Sequence, residues 1–146
     1  AQAVADDVRL LLAGDLLDML RGVVEQGTAQ KIRAAGFDRE CAGKTGTTNS
    51  YRDAWFIGFT PDLVCAVWVG YDDNRQMRTT WGGGVAGSTA ALPIWIRFMK
   101  KAVRNQPYSE FVIPSGIDFL KVDKTTGEEV SAFGDGIPVA VRSTIN

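Results

Sequence analysis

Three short runs of strand-forming residues follow one another between positions 41 and 71, with connections too short to hold a crossover. Residues 41–48 and 54–59 are joined by a few polar residues, and a Thr60-Pro61-Asp62 turn leads into residues 63–71. Parallel neighbours need roughly a dozen or more connecting residues, so these links leave an antiparallel meander. The third run, Leu63-Val64-Cys65-Ala66-Val67-Trp68-Val69, is apolar throughout, which predicts a central strand covered on both faces. The first and third strands of a meander lie two spacings apart, about 9–10 Å. A disulfide tolerates Cα atoms no more than about 7 Å apart, so Cys41 and Cys65 are expected to be free thiols serving as small core residues.

Helical periodicity flanks the strands. Over residues 9–26, Leu12, Leu16, Met19, Leu20 and Val23 fall at spacings of three and four, with Asp15, Asp18, Arg21 and Glu25 off that stripe. Gly27 is predicted to end this helix in a left-handed turn, and Thr28 to cap a short helix over residues 29–35 that Gly36 closes. Asp38-Arg39-Glu40 is a polar link into the first strand. Residues 72–81 are polar and irregular, and Gly82-Gly83-Gly84 reads as a flexible hinge. Ser88 or Thr89 is then placed to cap a helix carrying Leu92, Trp95, Ile96, Phe98, Met99, Ala102 and Val103, ending near Arg104; Pro93 fits only in its first turn. Trp55, Trp68 and Trp95 read as core aromatics, and Asp53, beside Arg52, as a turn and ion-pair residue.

Beyond Pro107 the character changes: Pro114, Gly116, Gly127, Gly134, Gly136 and Pro138 punctuate short β-like pieces. Lys124-Thr125-Thr126-Gly127 is a predicted hairpin turn between residues 117–122 and 128–130. The reading is an α+β chain: a three-strand antiparallel meander flanked by helices over residues 1–106, and a β-rich tail over 107–146. The chain opens without methionine inside a helical pattern, which predicts a piece of a longer polypeptide.

Composition removes several chemistries. The sequence has 146 residues and no histidine, which excludes Ser-His-Asp and Cys-His catalysis from within it and removes the commonest metal ligand. Two separated cysteines do not make a metal site, so neither metal nor cofactor is expected. A formal charge of −1 and no basic run beyond Lys100-Lys101 speak against nucleic acid as a partner. No apolar run reaches the roughly 18–20 residues of a membrane span, and no basic-then-apolar leader opens the chain.

Chemistry concentrates in Gly43-Lys44-Thr45-Gly46-Thr47-Thr48. On a strand these residues offer a cation, hydroxyl donors and bare backbone N–H groups to an anionic, extended ligand. Gly43-Lys44-Thr45 imitates the end of a phosphate-binding loop, but Asp38 stands where its first glycine belongs, and strand-formers follow instead of a helix. Gly82-Gly83-Gly84-Val85-Ala86-Gly87 satisfies a dinucleotide-binding glycine pattern, yet no apolar strand feeds it and no acidic residue follows at the required distance. The plain reading of Lys44 to Thr47 is an edge strand protected by its lysine.

The wider run shifts that balance. GVVEQGTA, then AGKTGTTNSYRDAWFIGFTPDLVCAVWVGYDD, then GGG and AALPIWIRFM resemble the C-terminal half of the transpeptidase domain of class A penicillin-binding proteins. The likeness runs from about Leu11 to Val103 and, more weakly, through Pro114-Ser115-Gly116-Ile117 and Asp123 to Gly127. It implies the fold shared by penicillin-binding enzymes and serine β-lactamases. It also implies peptidoglycan D,D-transpeptidation, in which a serine attacks the D-Ala-D-Ala end of a stem peptide, and acylation of that serine by β-lactams. The bacterial periplasm and a parent protein anchored in the inner membrane follow, with a glycosyltransferase domain upstream.

In that family Lys44 is a catalytic cation and Thr47 supplies an oxyanion-hole N–H. Thr45, Gly46, Thr47 and Thr48 bind substrate, with the hydroxyls of Thr45 and Thr47 facing its carboxylate and Gly46 admitting it close to the strand. Two family motifs are missing. No serine here has lysine three positions on, and no Ser-x-Asn occurs. The chain alone is therefore expected to be inactive. Its expected partners are stem peptide and β-lactams, and either the N-terminal half of the domain, on a separate chain where the domain is nicked, or a second copy pairing through sheet edges. The other readings are a fragment of a serine β-lactamase-type hydrolase and a non-catalytic binding module.

Overall fold

The computed structural model describes residues 2–113, 117–131 and 133–143; Pro114, Ser115 and Gly116, part of the weaker tail resemblance, lie outside the described residues. The chain divides into two compact units, Leu20–Phe111 and a second made of residues up to Met19 together with those from Val112 onward.

Helix α1 spans Gln2–Glu25, and its last turns belong to the first unit. The short α2 (Lys31–Ala34) leads into strands β1 (Ala42–Thr47), β2 (Asp53–Phe59) and β3 (Val64–Gly70), and α3 (Ala91–Ala102) closes the unit. The sheet is antiparallel in the order β1-β2-β3, as the short connections require. Lys44 pairs with Ile57 and Ile57 with Ala66; Gly46 pairs with Trp55 and Trp55 with Trp68. Strand alternation therefore gives the sheet two faces. Ala54 and Phe56 are buried, and Cys65, Val67 and Val69 pack against the same core. Lys44, Trp55, Ile57, Val64, Ala66 and Trp68 occupy the other, exposed face.

Trp95 of α3 anchors the core. Its ring meets Phe56 edge-on at 5.1 Å and Phe37 at 5.7 Å, and its Nε1 donates to the carbonyls of Gly58 and Cys65, each at 3.2 Å. An indole placed so deeply needs a partner for its N–H, and two sheet carbonyls supply it. Val24, Ile32, Cys41, Leu92 and Met99 are fully buried in the same core.

Several expectations need correction. The third strand is not central: β2 is, and β3 borders the sheet with alternate residues exposed. Trp55 and Trp68 are 39% and 42% exposed, so of the three tryptophans read as core only Trp95 is buried. The apolar stripe of α1 is largely uncovered at Leu12, Leu16 and Met19. Gly27 is not left-handed; among the described residues the positive-φ glycines are Gly36, Gly82 and Gly127. Glycine is needed at 27 because a Cβ there would stand 2.8 Å from the Cα of Val23. Neither Thr28 nor Ser88 or Thr89 caps a helix; the caps are Gln30 and Ala90, without side-chain bonds. Gly82 to Gly84 form a turn rather than a loose hinge, since Thr79 N–H donates to Gly83 O at 2.7 Å and Arg78 bridges Gly84. Asp53 opens β2, and its carboxylate is held by Trp68 and Thr48, while Arg52 donates to Asn74 O. Cys41 and Cys65 are free, as expected.

In the second unit, β4 (Ile117–Val122) pairs antiparallel with β5 (Ile137–Arg142). The turn after β4 forms as predicted, its Asp123 carboxylate accepting from the N–H groups of Thr126 and Thr125, bonds that hold Asp123 below its ordinary pKa. The expected strand over 128–130 is only a bridge from Glu129 to Val122. Gly14 of α1 lies against Ala140 and Ile117, and Ala140 N–H donates to Asp15. No helix among the described residues is long and apolar enough to cross a membrane.

Candidate active site

β1 is an edge strand, so one row of its backbone groups has no strand partner among the described residues. Along it, alternation sends Lys44 and Gly46 to the exposed face and Thr45 and Thr47 to the face of Phe56 and Ala54. The Lys44 ammonium folds back onto the carbonyl of Thr45 at 2.8 Å, remaining exposed. Gly46 faces Trp55, where a Cβ would come within 3.2 Å of the Trp55 Cβ, tight enough to force a shift.

Two loops distant in sequence reach the threonines. Thr28, just before α2, places its Oγ1 2.9 Å from the Oγ1 of Thr45. Gly87, just before α3, donates its N–H to the Oγ1 of Thr47 at 3.1 Å. Only glycine fits at 87: a Cβ would stand 2.3 Å from the carbonyl oxygen of Trp55 and 2.7 Å from that of Gly46. Sequence spacing carried no signal for Thr28, and Gly87 stood in a glycine run read as a hinge.

The end of β1 is pinned by a small polar cluster. Thr48 Oγ1 accepts from Asp53 N–H at 2.8 Å and donates to the Asp53 carboxylate at 3.2 Å, while Trp68 Nε1 donates to the same carboxylate at 2.9 Å. The Thr48 hydroxyl is thus spent within the turn, unlike those of Thr45 and Thr47. Ser50 and Tyr51 follow with φ of 65° and 53°, a left-handed pair without glycine. Such strain persists only where surroundings over-determine it. Here Met77 N–H bonds to Tyr51 O at 2.9 Å, and the Tyr51 ring lies over Gly84, where a Cβ would overlap it. The sequence-derived residues Lys44, Thr45, Gly46, Thr47 and Thr48 thus form one ordered strand end. No serine with the missing motifs stands with them, because the sequence has none. Among the described residues, no group of three or more His, Cys, Asp and Glu is placed to hold a metal ion.

Comparison with known proteins identifies the family. Residues 11–93 match the family described as the penicillin binding protein transpeptidase domain. Penicillin-binding protein 1A of Aquifex aeolicus is 50% identical over 98 residues, covering 67% of this chain and 13% of its relative. Its counterpart in Pseudomonas aeruginosa is 41% identical over 118 residues, covering 80% of the chain and 14% of the relative. The chain thus spans only a small part of the length of these relatives. The crystal structure of penicillin-binding protein 1A from Haemophilus influenzae superposes with a TM-score of 0.71 at 32% identity, covering 88% of this chain and 20% of that one. PonA1 from Mycobacterium tuberculosis, in complex with penicillin V, gives 0.56 at 28% identity, covering 71% of this chain and 28% of that one. With its Lys-Thr-Gly edge strand, its three-strand meander and a family match over more than half its length, the chain belongs to the penicillin-binding protein transpeptidase-domain family.

Proposed function

We propose that this chain is the Lys-Thr-Gly half of a serine-type peptidoglycan D,D-transpeptidase, inactive until a serine-bearing half completes the site. The carrying observation is that Lys44 stands on the exposed, apolar face of the sheet, on an edge strand whose Thr45 and Thr47 hydroxyls are held by neighbouring loops. A covering half places its nucleophile over that strand. In the reaction, the serine oxygen bonds to the penultimate D-alanine carbonyl and the bond to the last D-alanine breaks. The serine proton leaves on the released amine. An amine from a neighbouring stem peptide then takes the acyl group and restores the serine.

Within this scheme Lys44 supplies positive charge where anionic groups gather, and Thr47 N–H is one oxyanion donor. The hydroxyls of Thr45 and Thr47 bind the donor carboxylate, and Gly46 lets an extended peptide lie along the strand edge. A β-lactam carboxylate takes the same place; penicillin V bound to PonA1, a structural neighbour, supports that ligand class. The working compartment is the bacterial periplasm, with the membrane anchor carried by the parent protein. The test is intact mass spectrometry after incubating the chain, with and without the serine-bearing half, with labelled penicillin. The expected result is a penicilloyl adduct on the other half only when both are present. An adduct on this chain, or none on the assembled pair, overturns the proposal.

A further inference from the structure

The geometry points to Thr28 as a positioning residue that presets the Thr45 hydroxyl to donate to a carboxylate, an inference that rests on the transpeptidase reading of this strand. A threonine hydroxyl has one proton to give and two lone pairs to accept with. At Thr47 the structure already fixes the direction: Oγ1 accepts from Gly87 N–H, so its own proton is left to be donated. At Thr45 the partner is another hydroxyl 2.9 Å away, and either can donate.

A carboxylate arriving at β1 breaks that symmetry. It only accepts, so Thr45 donates to it and Thr28 donates to Thr45, giving the chain Thr28 O–H to Thr45 O–H to carboxylate. Each link polarises the next, and the last bond is charge-assisted. Gly87 N–H to Thr47 O–H to carboxylate is the parallel chain. Thr28 sits 17 residues before Thr45 and is exposed, so its hydroxyl contributes nothing to a helix cap or to core packing. What remains for it is direction at the strand. Replacing the carboxylate by a neutral ester keeps an acceptor but removes the charge that strengthens the last bond, and Thr28 then has a smaller influence.

The experiment uses the assembled pair of halves and follows acylation of the serine by benzylpenicillin and by its carboxylate ester. Thr28→Val keeps the shape of the side chain and removes the hydroxyl. The expected result is an about tenfold loss of apparent affinity for benzylpenicillin before acylation, with the maximal acylation rate kept. The ester loses markedly less than the acid, and Thr28→Ser restores the wild-type value. Equal losses for acid and ester, or no loss for either, overturn the inference while leaving the transpeptidase reading standing. Absence of any adduct on the wild-type pair overturns that reading, and this inference with it.

Discussion

Among single residues, Cys41 shows how placement rather than identity sets chemistry. It is buried at 1% exposure, and that burial pushes its thiol up to about 11 from an ordinary value of 9.0, against the opposing influence of the nearby Arg33. Cys65, less buried, is raised by the same cause. The folded chain holds the Cys41 proton more tightly than the unfolded chain does. Between about pH 9 and 11 only the unfolded form gives it up, so stability falls as pH rises through that window, by on the order of 2 kcal/mol in all. Denaturant midpoints of the wild type and Cys41→Ala should therefore converge as pH climbs from 8 to 11. Parallel curves contradict this account. That both thiols are free followed from strand spacing alone. Thr28 did not, because a contact between residues far apart leaves no mark on local pattern, and a threonine before a helix looks like a cap.

At the level of elements, the strands were legible because short polar links force antiparallel order and aromatic and β-branched residues fill them. Their environments were less so. β3 read as central because its outer residues Val64, Ala66 and Trp68 are apolar, yet in this chain they face outward. β5 received no bounds of its own because Gly134, Gly136 and Pro138 read as punctuation between short β-like pieces, although Pro138 sits opposite Lys121 within the ladder. Two glycines give a contrasting test of the packing. At Gly58 a Cβ would meet Phe56 at 2.7 Å and Trp95 at 2.9 Å, against the indole whose N–H donates to the Gly58 carbonyl. At Gly22, inside α1, nothing lies within 4 Å. Gly58→Ala should cost about 1–3 kcal/mol by overpacking. Gly22→Ala should stabilise by roughly 0.5–1 kcal/mol through helix propensity. Urea unfolding of both variants checks the pair, and opposite signs are the outcome that supports the packing.

For the molecule as a whole, the exposed face of the sheet is where the proposed pairing with a serine-bearing half can be tested. Trp55 and Trp68 lie with ring centroids 6.3 Å apart, next to Ile57 and Val64, the latter two 48% and 69% exposed. Scattered apolar residues on a surface are ordinary, but a contiguous set on adjacent strands marks an interaction face. Lys44 stands on the same face, so in the proposed reading a half that covers the apolar patch also meets the charged head of the Lys-Thr-Gly strand. This joins the site and the patch in one prediction. Trp68→Glu places a charge in the middle of the patch, on a side chain whose indole also holds Asp53, so Ile57→Glu serves as the control without that bond. Both should reduce association with the serine-bearing half by at least tenfold, as a desolvated charge in an interface does. The chain alone should sediment as a concentration-dependent mixture that either variant shifts to monomer. Adding the other half to the wild type should replace that self-association with a one-to-one complex and blue-shift its tryptophan fluorescence. Unchanged sedimentation in both variants, with complex formation intact, would mean that the patch is not the covered face and that the site is completed from the strand edge instead.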